Sequence, residues 1–341
     1  MRIREFQVIL EKRKISSAVL LNSDGKPNSN FVYFTDVPQV TGFLIIPSSG
    51  SPVLLTSLLE YGIAKRHSMI KKVVAVKKSY KDMLKKYLKG DRIGVDFSNL
   101  SVSTFKKLKK ELKKKFVDIS SHIHDLRMVK TPEEISRMRK AASLASLVIS
   151  KAIAKASSRM TELDMARFID MEMFKLDVLP SFPTIVASGK NSKNPHHIPS
   201  DSKLKGFTVI DMGVICRNYC SDISRTIYIG TPSSREISDY EKVLQVQHEC
   251  LDVHAKSPKY LNDHAKKRLG KHFIHSLGHG IGLDVHESPN FNSPKKLKDS
   301  TIVAIEPGLY TDYGIRIEDD VLVKKIPEIL TKFTKKLIVK K

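Results

Sequence analysis

The sequence predicts an α+β protein with two domains, at residues 1–125 and 126–341. Three observations lead to this prediction. The 341 residues suit about two domains of ordinary size, and 41% of them are hydrophobic, which is enough for ordinary buried cores. The first part of the chain alternates short strand-like and helix-like stretches, which is typical of a compact α/β domain. The second part opens with a strong helix-start signal and then combines long helices with paired strands.

The elements predicted within residues 1–125 follow from local patterns. Alternating or continuous apolar runs predict strands at 17–23, 30–35 ("NFVYFT"), 42–48, 52–57, 71–78 and 92–97. The "SSGS" between the strands at 42–48 and 52–57 predicts a hairpin turn. Helical spacing predicts helices at 1–17, 58–67, 80–90 and 106–115. Gly90 is the predicted C-cap of the third of these helices.

The elements of residues 126–341 begin after a predicted interdomain link, "HDLRMVK" at 124–130. "TPEE" predicts a helix start, because Thr131 can cap the helix, Pro132 fits its first turn and Glu134 completes a capping box. A long alanine-rich helix is predicted from there. Further patterns predict a second helix, a strand, a polar loop, a strand pair and another helix, at 162–176, 182–188, 189–206, 207–230 and 238–255.

Composition predicts a cytoplasmic protein without a membrane-spanning segment. No run of 18 or more apolar residues occurs in the sequence. The basic first residues are soon interrupted by charge and lack the apolar core of a signal peptide. The three cysteines, Cys216, Cys220 and Cys250, do not suggest a disulfide framework, which fits a reducing compartment.

The net charge of +23 raises the question of a nucleic-acid partner. The densest basic run is "KKLKKELKKK", from Lys106 to Lys115. Its two leucines, Leu108 and Leu112, are four residues apart, which favours an exposed basic helix over a phosphate-binding patch. No recognition-helix, zinc-finger or RNA-binding signature accompanies the run. A nucleic-acid partner is therefore not expected.

Two pairs of acids occur on predicted strand pairs. Asp211 lies in the apolar run "VIDMG", and Asp222 follows on the next predicted strand, beyond a turn. Two facing carboxylates repel each other, and a divalent cation between them would remove that repulsion. The alternative is that one acid caps a turn and the other lies on the surface. Glu306 and Glu318 repeat the arrangement on a second predicted strand pair, which favours the cation.

A histidine-rich stretch adds a further ligand type. "HSLGHGIGLDVHE" contains His275, His279 and His286 among glycines. Four carboxylates and one imidazole, that of His279, form an oxygen-rich set that suits two divalent ions, Mn²⁺, Co²⁺ or Zn²⁺. Two ions held about 3.5–4 Å apart can activate a water for hydrolysis. A structural zinc site would favour thiolates, and the cysteines here do not form one.

The motifs "IDMG", "SDISRT", "HSLGHGIGLDVHE", "IEPGLY" and "RIEDD" resemble, in order and spacing, the metallopeptidase family with the pita-bread fold. That family includes methionine aminopeptidase, aminopeptidase P, prolidase and creatinase. The resemblance covers about residues 126–341. Residues 1–125 resemble the creatinase-type N-terminal α/β domain, with "NFVYFT" and "IGVDFSNLS" as weaker support. The two-domain form is similar to that of prolidase and aminopeptidase P.

The resemblance implies a role for each matched metal ligand. Asp211 would bind one ion, and Asp222 and Glu318 would bridge both. His279 and Glu306 would complete the other. Glu306 would also act as general base towards a metal-bridging water.

The resemblance also implies roles for residues around the ligands. His286 would hydrogen-bond the substrate or the tetrahedral intermediate, and His275 would line the site. Arg316 would hold the bridging acid or the substrate carboxylate. A family histidine on the leaving side of the substrate matches His196, although the adjacent His197 remains an alternative.

The implied activity is hydrolysis of the Xaa-Pro bond at the N-terminus of dipeptides or short peptides by a homodimer. Whether the enzyme is an Xaa-Pro dipeptidase (prolidase) or an Xaa-Pro aminopeptidase stays open. Creatinase-like action is disfavoured, because creatinase lacks the full metal set. The other alternative is a non-catalytic pita-bread homologue that binds RNA or a protein partner through its basic surface, and the intact ligand set argues against it.

Overall fold

The computed structural model describes residues 2–25 and 27–341. It divides into two compact units, one ending at Arg127 and the other running from Met128 to Lys341. Among the helices in these described ranges, none has both the length and the apolar character needed to cross a membrane.

The N-terminal unit is built on a mixed six-stranded sheet. Its strands are β1 (Ser17–Asn22), β2 (Gly42–Pro47), β3 (Val53–Ser57), β4 (Val73–Val76), β5 (Arg92–Val95) and β6 (Lys115–Asp118), in the spatial order β4-β3-β2-β1-β5-β6. Its helices are α1 (Arg2–Lys12), α2 (Ser29–Thr35), α3 (Tyr61–His67), α4 (Tyr80–Tyr87), α5 (Val102–Leu112) and α6 (Ser120–Met128). The predicted β2–β3 hairpin is confirmed, because the two strands pair antiparallel. Leu108 and Leu112 of α5 are buried against this sheet while the lysines between them are exposed, as predicted.

The prediction of a strand at "NFVYFT" is wrong, because these residues form α2. The side chain of Asn28 caps the helix by accepting from the backbone N–H groups of Asn30 and Phe31. Every residue from Asn30 to Thr35 is buried. A short helix that is buried on all sides shows no polar face, so its sequence resembles that of a buried strand.

Two smaller predictions in this region are also wrong. Gly90 does not cap α4, which ends at Tyr87 with Leu88 in an extended conformation. Gly90 instead has φ +69° in the turn before β5, where a Cβ would lie 2.2 Å from Ser16 Oγ. The predicted link at 124–130 is helical as far as Met128, because α6 runs into it.

The C-terminal unit contains four longer helices. They are α7 (Pro132–Lys155), α8 (Glu162–Phe174), α9 (Ser234–Cys250) and α10 (Pro258–Leu269). The predicted capping box of α7 is confirmed: Thr131 Oγ1 accepts from Glu134 N at 3.2 Å, and Glu134 Oε2 accepts from Thr131 N at 2.7 Å. Similar boxes begin α8 and α9.

The strands of the C-terminal unit form four sheets. The strands are β7 (Leu179–Pro180), β8 (Ile185–Ser188), β9 (Gly206–Met212), β10 (Val214–Cys216), β11 (Tyr219–Cys220), β12 (Ile223–Ile229), β13 (Gly278–Gly280), β14 (Glu287–Asn290), β15 (Ile302–Ile305), β16 (Gly308–Tyr310), β17 (Gly314–Arg316), β18 (Asp319–Leu322), β19 (Glu328–Ile329) and β20 (Val339–Lys340). The spatial orders are β11-β10-β7, β20-β12-β9-β8, β14-β13-β15-β18-β19 and β16-β17.

Strand pairing brings distant acids towards one another. β9 pairs antiparallel with β12, so that Asp211 lies opposite Ser224, two residues from Asp222. β15 pairs antiparallel with β18, with Ile305 opposite Asp319. Glu306 directly follows β15 and Glu318 directly precedes β18, so both lie at the same end of this strand pair.

Two layers of helices cover these sheets. α7 and α8 pack on β9 and β12 through a fully apolar cluster that includes Ile149, Met165 and Ile210. α9 and α10 pack on β15 and β18 through a second cluster that includes Val246, Val303 and Val321. Each such aliphatic side chain contributes about 1.5–3 kcal/mol when it is fully buried, so both layers hold the strands that carry the acids.

Candidate active site

Acids from two strand pairs converge on one histidine in the C-terminal unit. Asp222, His279 and Glu318 each offer a ligand atom, and these atoms all lie within 4.8 Å of one another. His279 Nε2 is 3.7 Å from Asp222 Oδ2 and 3.7 Å from Glu306 Oε1. Asp211 belongs to the same group, since its charge acts on Asp222, Glu306 and Glu318. All five predicted ligands therefore lie in one cluster.

The orientation of His279 leaves one ring nitrogen facing the acids. Its Nδ1 lies 3.2 Å from the carbonyl oxygen of Gly280. Because a carbonyl oxygen only accepts, Nδ1 must carry the proton, and Nε2 presents a lone pair to the acids. Burial, and next the charge of His286, lower the pKa of His279 to about 3, so the ring is neutral at pH 7. A neutral imidazole with a fixed tautomer is the form that binds metal ions.

Three of the acids, Asp222, Glu306 and Glu318, have pKa values raised by their surroundings. Burial, followed by the charges of Glu318 and Asp211, raises the pKa of Asp222 well above its usual range. Burial and Glu318 raise the pKa of Glu306 in the same way. Burial and Asp211 raise the pKa of Glu318 to about 7. The cluster therefore needs protons or cations to balance its charge.

The unpartnered oxygens of the cluster favour cations. In the described part of the chain, Asp211 Oδ1 and Asp222 Oδ1 are buried and have no hydrogen-bond partner. Such oxygens are costly to bury unless a cation binds them. Carboxylate oxygens with one imidazole suit hard or borderline divalent ions. The residues present therefore fit a metal centre.

Arg316 connects the acids from within the site. Its Nη2 donates to Asp211 Oδ2 at 2.6 Å, and its Nε donates to Ser224 Oγ at 3.0 Å. Ser224 Oγ in turn donates to Glu318 Oε2 at 2.8 Å. One guanidinium thus fixes an acid from each strand pair. Its Nη1 donates to Tyr310 Oη at 3.1 Å, so each of the three guanidinium nitrogens donates within the protein.

Two other histidines lie around the cluster. The rings of His286 and His279 have centroids 4.1 Å apart. His275 Nε2 lies 2.9 Å from Tyr310 Oη, while its Nδ1 lies 2.7 Å from the carbonyl oxygen of Ser276. Burial lowers the pKa of His275 to about 4 and also lowers the pKa of His286. Both rings are neutral near pH 7 and can donate or accept hydrogen bonds at the site.

Comparison with known proteins decides the family. Residues 136–325 match the metallopeptidase family M24, and residues 2–129 match the creatinase/prolidase N-terminal domain. The chain belongs to metallopeptidase family M24. The predicted fold, a pita-bread domain preceded by a creatinase-type N-terminal domain, is confirmed. The prediction that this M24 metallopeptidase is a peptidase is likewise confirmed.

The M24 metallopeptidase is similar to relatives over most of its length. It is 35% identical to the Xaa-Pro dipeptidase of Pyrococcus furiosus, over 86% of this chain and 88% of that one. The structure of the prolidase from Pyrococcus horikoshii matches with a TM-score of 0.89 and 32% identity, over 98% of this chain and 99% of that one. An X-Pro aminopeptidase structure from Thermotoga maritima matches with a TM-score of 0.89 and 31% identity, over 96% and 99%.

The structure places His196 and His197 of the M24 metallopeptidase in different surroundings. His197 Nε2 lies 2.8 Å from Oε2 of Glu162, which is not one of the four acids of the cluster. His196 is exposed, and its charge contributes to the lowered pKa of both His275 and His286. Arg316 also donates to the carbonyl oxygen of Pro195, directly before His196, at 3.3 Å. Of the two, His196 is therefore the histidine beside the cluster.

Sequence reasoning on this metallopeptidase missed three residues of the site. Ser224 and Tyr310 link Arg316 to Glu318 and His275, and Asp320 Oδ2 accepts from the backbone N–H of Asp222 at 3.0 Å. Ser224 lies in "SDISRT", Tyr310 in "IEPGLY" and Asp320 in "RIEDD". Their roles depend on partners far away in the chain, and no local pattern indicates them.

Proposed function

We propose that the protein is a dinuclear-metal Xaa-Pro dipeptidase, a prolidase. The observation that carries this proposal is the buried cluster of Asp211, Asp222, Glu306 and Glu318 around His279. The similarity to the Xaa-Pro dipeptidase of Pyrococcus furiosus and the prolidase of Pyrococcus horikoshii supports this substrate class. The similarity to the X-Pro aminopeptidase of Thermotoga maritima favours a second candidate, an Xaa-Pro aminopeptidase that acts on longer peptides.

We further propose which residues would hold the metals. Asp211 would bind one ion, Asp222 and Glu318 would bridge both, and His279 and Glu306 would complete the other. The donor set favours Mn²⁺ or Co²⁺, with Zn²⁺ as an alternative. When bound, such ions supply Lewis acidity towards the scissile carbonyl and a reactive water at neutral pH.

The chain's own groups would then move protons and hold the substrate. Glu306 is the general base of this proposal, and its side chain, 19% exposed, is the most accessible of the four acids to an attacking water. His286, beside His279, would donate to the oxygen on which negative charge develops. His275, which is hydrogen-bonded to Tyr310, would line the site. His196 would contact the leaving side of the substrate.

Arg316 would act on the acids and not on the substrate. Its Nε and Nη2 donate to Ser224 and Asp211, and its Nη1 donates to Tyr310 and to the Pro195 carbonyl. Arg316 is also only 3% exposed, so little of the guanidinium is open to a substrate carboxylate. We therefore propose that Arg316 holds the ligands of the two strand pairs in register.

The proposal extends to the domains, the compartment and the oligomeric state of the protein. Residues 1–125 would form the N-terminal domain and residues 126–341 the catalytic domain. The three cysteines are free, which suits a reducing cytoplasmic compartment. The resemblance to two-domain relatives suggests a homodimer. A nucleic-acid partner and a membrane are not part of this proposal.

Hydrolysis assays test the proposed function. The purified protein is chelated and then assayed with an Xaa-Pro dipeptide, alone and with added Mn²⁺ or Co²⁺. A dipeptidase must recognise the proline carboxylate, so its rate should collapse on an Xaa-Pro-Xaa-Xaa peptide, whereas an aminopeptidase would cleave both. Absence of metal-dependent cleavage of any Xaa-Pro peptide would contradict the proposal and favour the non-catalytic alternative.

A further inference from the structure

A buried carboxylate outside the metal cluster accepts several hydrogen bonds from the loop that carries His196. Glu162, the first residue of α8, is 0% exposed. Its Oε1 accepts from the backbone N–H of Ser188 at 2.8 Å and from Asn191 Nδ2 at 3.0 Å. Its Oε2 accepts from His197 Nε2 at 2.8 Å, and from the backbone N–H and the hydroxyl of Ser200 at 3.0 Å and 2.6 Å. We call residues 188–202 the histidine loop.

Glu162 holds this loop as an anion. Burial by itself would raise the pKa of Glu162, but hydrogen bonds from Ser200, His197 and Asn191 outweigh it and lower the pKa below its ordinary value. An ionised carboxylate can only accept, so all of these partners donate to it. His197 thus directs its Nε2–H to Glu162, and that nitrogen is not offered to a substrate.

The opposite side of the histidine loop is attached to the metal-site strand β17. The backbone N–H of Gly314 donates to Ser192 Oγ at 2.7 Å, and Arg316 Nη1 donates to the carbonyl oxygen of Pro195 at 3.3 Å. His196 directly follows Pro195, which Arg316 holds, and directly precedes His197, which Glu162 holds. Its backbone is therefore fixed from β17 on one side and, through its neighbour His197, from Glu162 on the other.

We propose that Glu162 is a positioning residue that clamps the histidine loop and thereby presents His196, and not His197, to the substrate. This inference rests on the proposed Xaa-Pro hydrolysis. The hydrogen bonds that Glu162 accepts all come from the histidine loop, and none of them comes from a predicted metal ligand. Glu162 acts on the reaction only through the position of His196, and this route is what the experiment must separate from a general effect on folding.

A double-mutant cycle provides that separation. kcat/KM for an Ala-Pro dipeptide with Mn²⁺ is measured for the parent, E162Q, H196A and the double variant. In E162Q the amide NH₂ replaces one carboxylate oxygen and faces the backbone N–H of either Ser188 or Ser200, so at least one buried contact is lost. We expect E162Q and H196A each to lower kcat/KM about 10–100-fold, because small displacements of a substrate-contacting group have effects of this size.

The double variant, E162Q with H196A, shows whether Glu162 acts through His196. If Glu162 acts through His196, the double variant has the kcat/KM of H196A alone. Multiplied losses would overturn the inference, as would a parent-like kcat/KM in E162Q or a larger loss in H197A than in H196A. D164N is the matched control, because Asp164 caps the same first turn of α8 but does not contact the histidine loop. Its kcat/KM should match that of the parent.

Hydrogen exchange keeps this inference separable from the proposed function. Amides of the histidine loop should exchange faster in E162Q than in the parent and in D164N. If the parent cleaves no Xaa-Pro peptide, the proposed function fails, while unchanged exchange in E162Q would independently refute the clamp. Should E162Q not fold, E162D keeps the charge one methylene shorter and enters the same measurements.

Discussion

Asp222 has the most crowded electrostatic surroundings in the site. Besides burial, the carboxylates of Glu318, Asp211, Asp320 and Glu306 all raise its pKa. Its Oδ1 has no hydrogen-bond partner within the described residues. Without a cation these repulsions oppose folding, so a residue that serves metal binding lowers the stability of the metal-free protein.

Replacing Asp222 by Asn should therefore separate stability from metal binding. In the presence of a chelator, we expect D222N to raise the free energy of unfolding by about 1–3 kcal/mol, because a neutral amide needs neither the proton nor the cation that Asp222 requires in the folded state. With Mn²⁺ the parent should gain a higher Tm by binding the ion, while D222N should gain little. Calorimetry with and without Mn²⁺ measures both effects.

The control for this prediction is D252N. Asp252 is a surface acid, 67% exposed and paired with Lys256, so its replacement should leave the response to Mn²⁺ unchanged. A D222N protein that gains as much Tm from Mn²⁺ as the parent does would contradict the bridging role of Asp222.

At the scale of elements, the close pairing of β13 with β15 sets the position of His279. A Cβ built on Gly278, one residue before His279, would lie 1.9 Å from the carbonyl oxygen of Ala304. Gly278 lies opposite Ile305, the last residue of β15. Since the backbone of Ala304 leaves no room for a Cβ, only glycine allows β13 to pair this closely with β15, which Glu306 follows.

A methyl group at Gly278 should displace the strand and its ligand. We expect G278A to lower the free energy of unfolding by about 3 kcal/mol, at the upper end of overpacking effects, and to weaken Mn²⁺ binding by moving His279. Chemical denaturation and isothermal titration calorimetry measure the two effects. G62A is the control: a Cβ there meets nothing within 4 Å, so this change in α3 should be neutral or slightly stabilising. Parent-like Mn²⁺ binding in G278A would contradict this account of β13.

An ion pair between α7 and β19 makes stability depend on pH. Hydrogen bonds from Arg139 and then Lys324 lower the pKa of Glu328 from 4.5 to about 2. A lowered pKa in the folded state stabilises the protein above pH 4.5, and this stability is lost as the pH falls towards 2. We expect E328Q to be less stable than the parent by about 0.5–1 kcal/mol at pH 7, because the Arg139 side chain is 47% exposed. Urea unfolding from pH 3 to pH 7 should show the difference narrowing below pH 4.5, and a constant difference would contradict the assignment.

Local patterns predicted most elements but not those whose surroundings are unusual. The capping box of α7 and the β2–β3 hairpin follow from short-range contacts, so the sequence could indicate them. For α2, the N-cap Asn28 was a local signal, but burial on every side of the helix removed the polar face by which helices are recognised. Tertiary packing, which no local pattern contains, decided that element.

At the scale of the whole molecule, the site shows what can be inferred from sequence. Asp211, Asp222, His279, Glu306 and Glu318 were inferred from charged residues in apolar runs and from the resemblance, and they lie together in the structure. Glu162 and Tyr310 were not inferred, because their importance depends on partners 38 and 35 residues away in the chain. Long-range contacts also distinguish His196 from His197. The sequence alone left the two histidines as equal alternatives.

All of these residues lie in the C-terminal unit, from Met128 onwards. The helix layers that hold the site strands also belong to this unit, through the clusters around Ile210 and Val303. The N-terminal unit has its own sheet and its own apolar cluster, which includes Val19 and Leu55. Each unit therefore has the core that independent folding requires.

A fragment that begins at Met128 should fold and bind metal without the N-terminal unit. We expect residues 128–341 to bind two Mn²⁺ ions with affinities within about threefold of the full chain, because every proposed ligand and its supporting helices are present. Titration calorimetry measures the binding, and circular dichroism establishes that the fragment is folded. The D222N change in the same fragment is the control and should abolish binding. A folded fragment that binds no Mn²⁺ would show that the metal centre depends on the N-terminal unit, and the proposed catalytic domain would then have to include it.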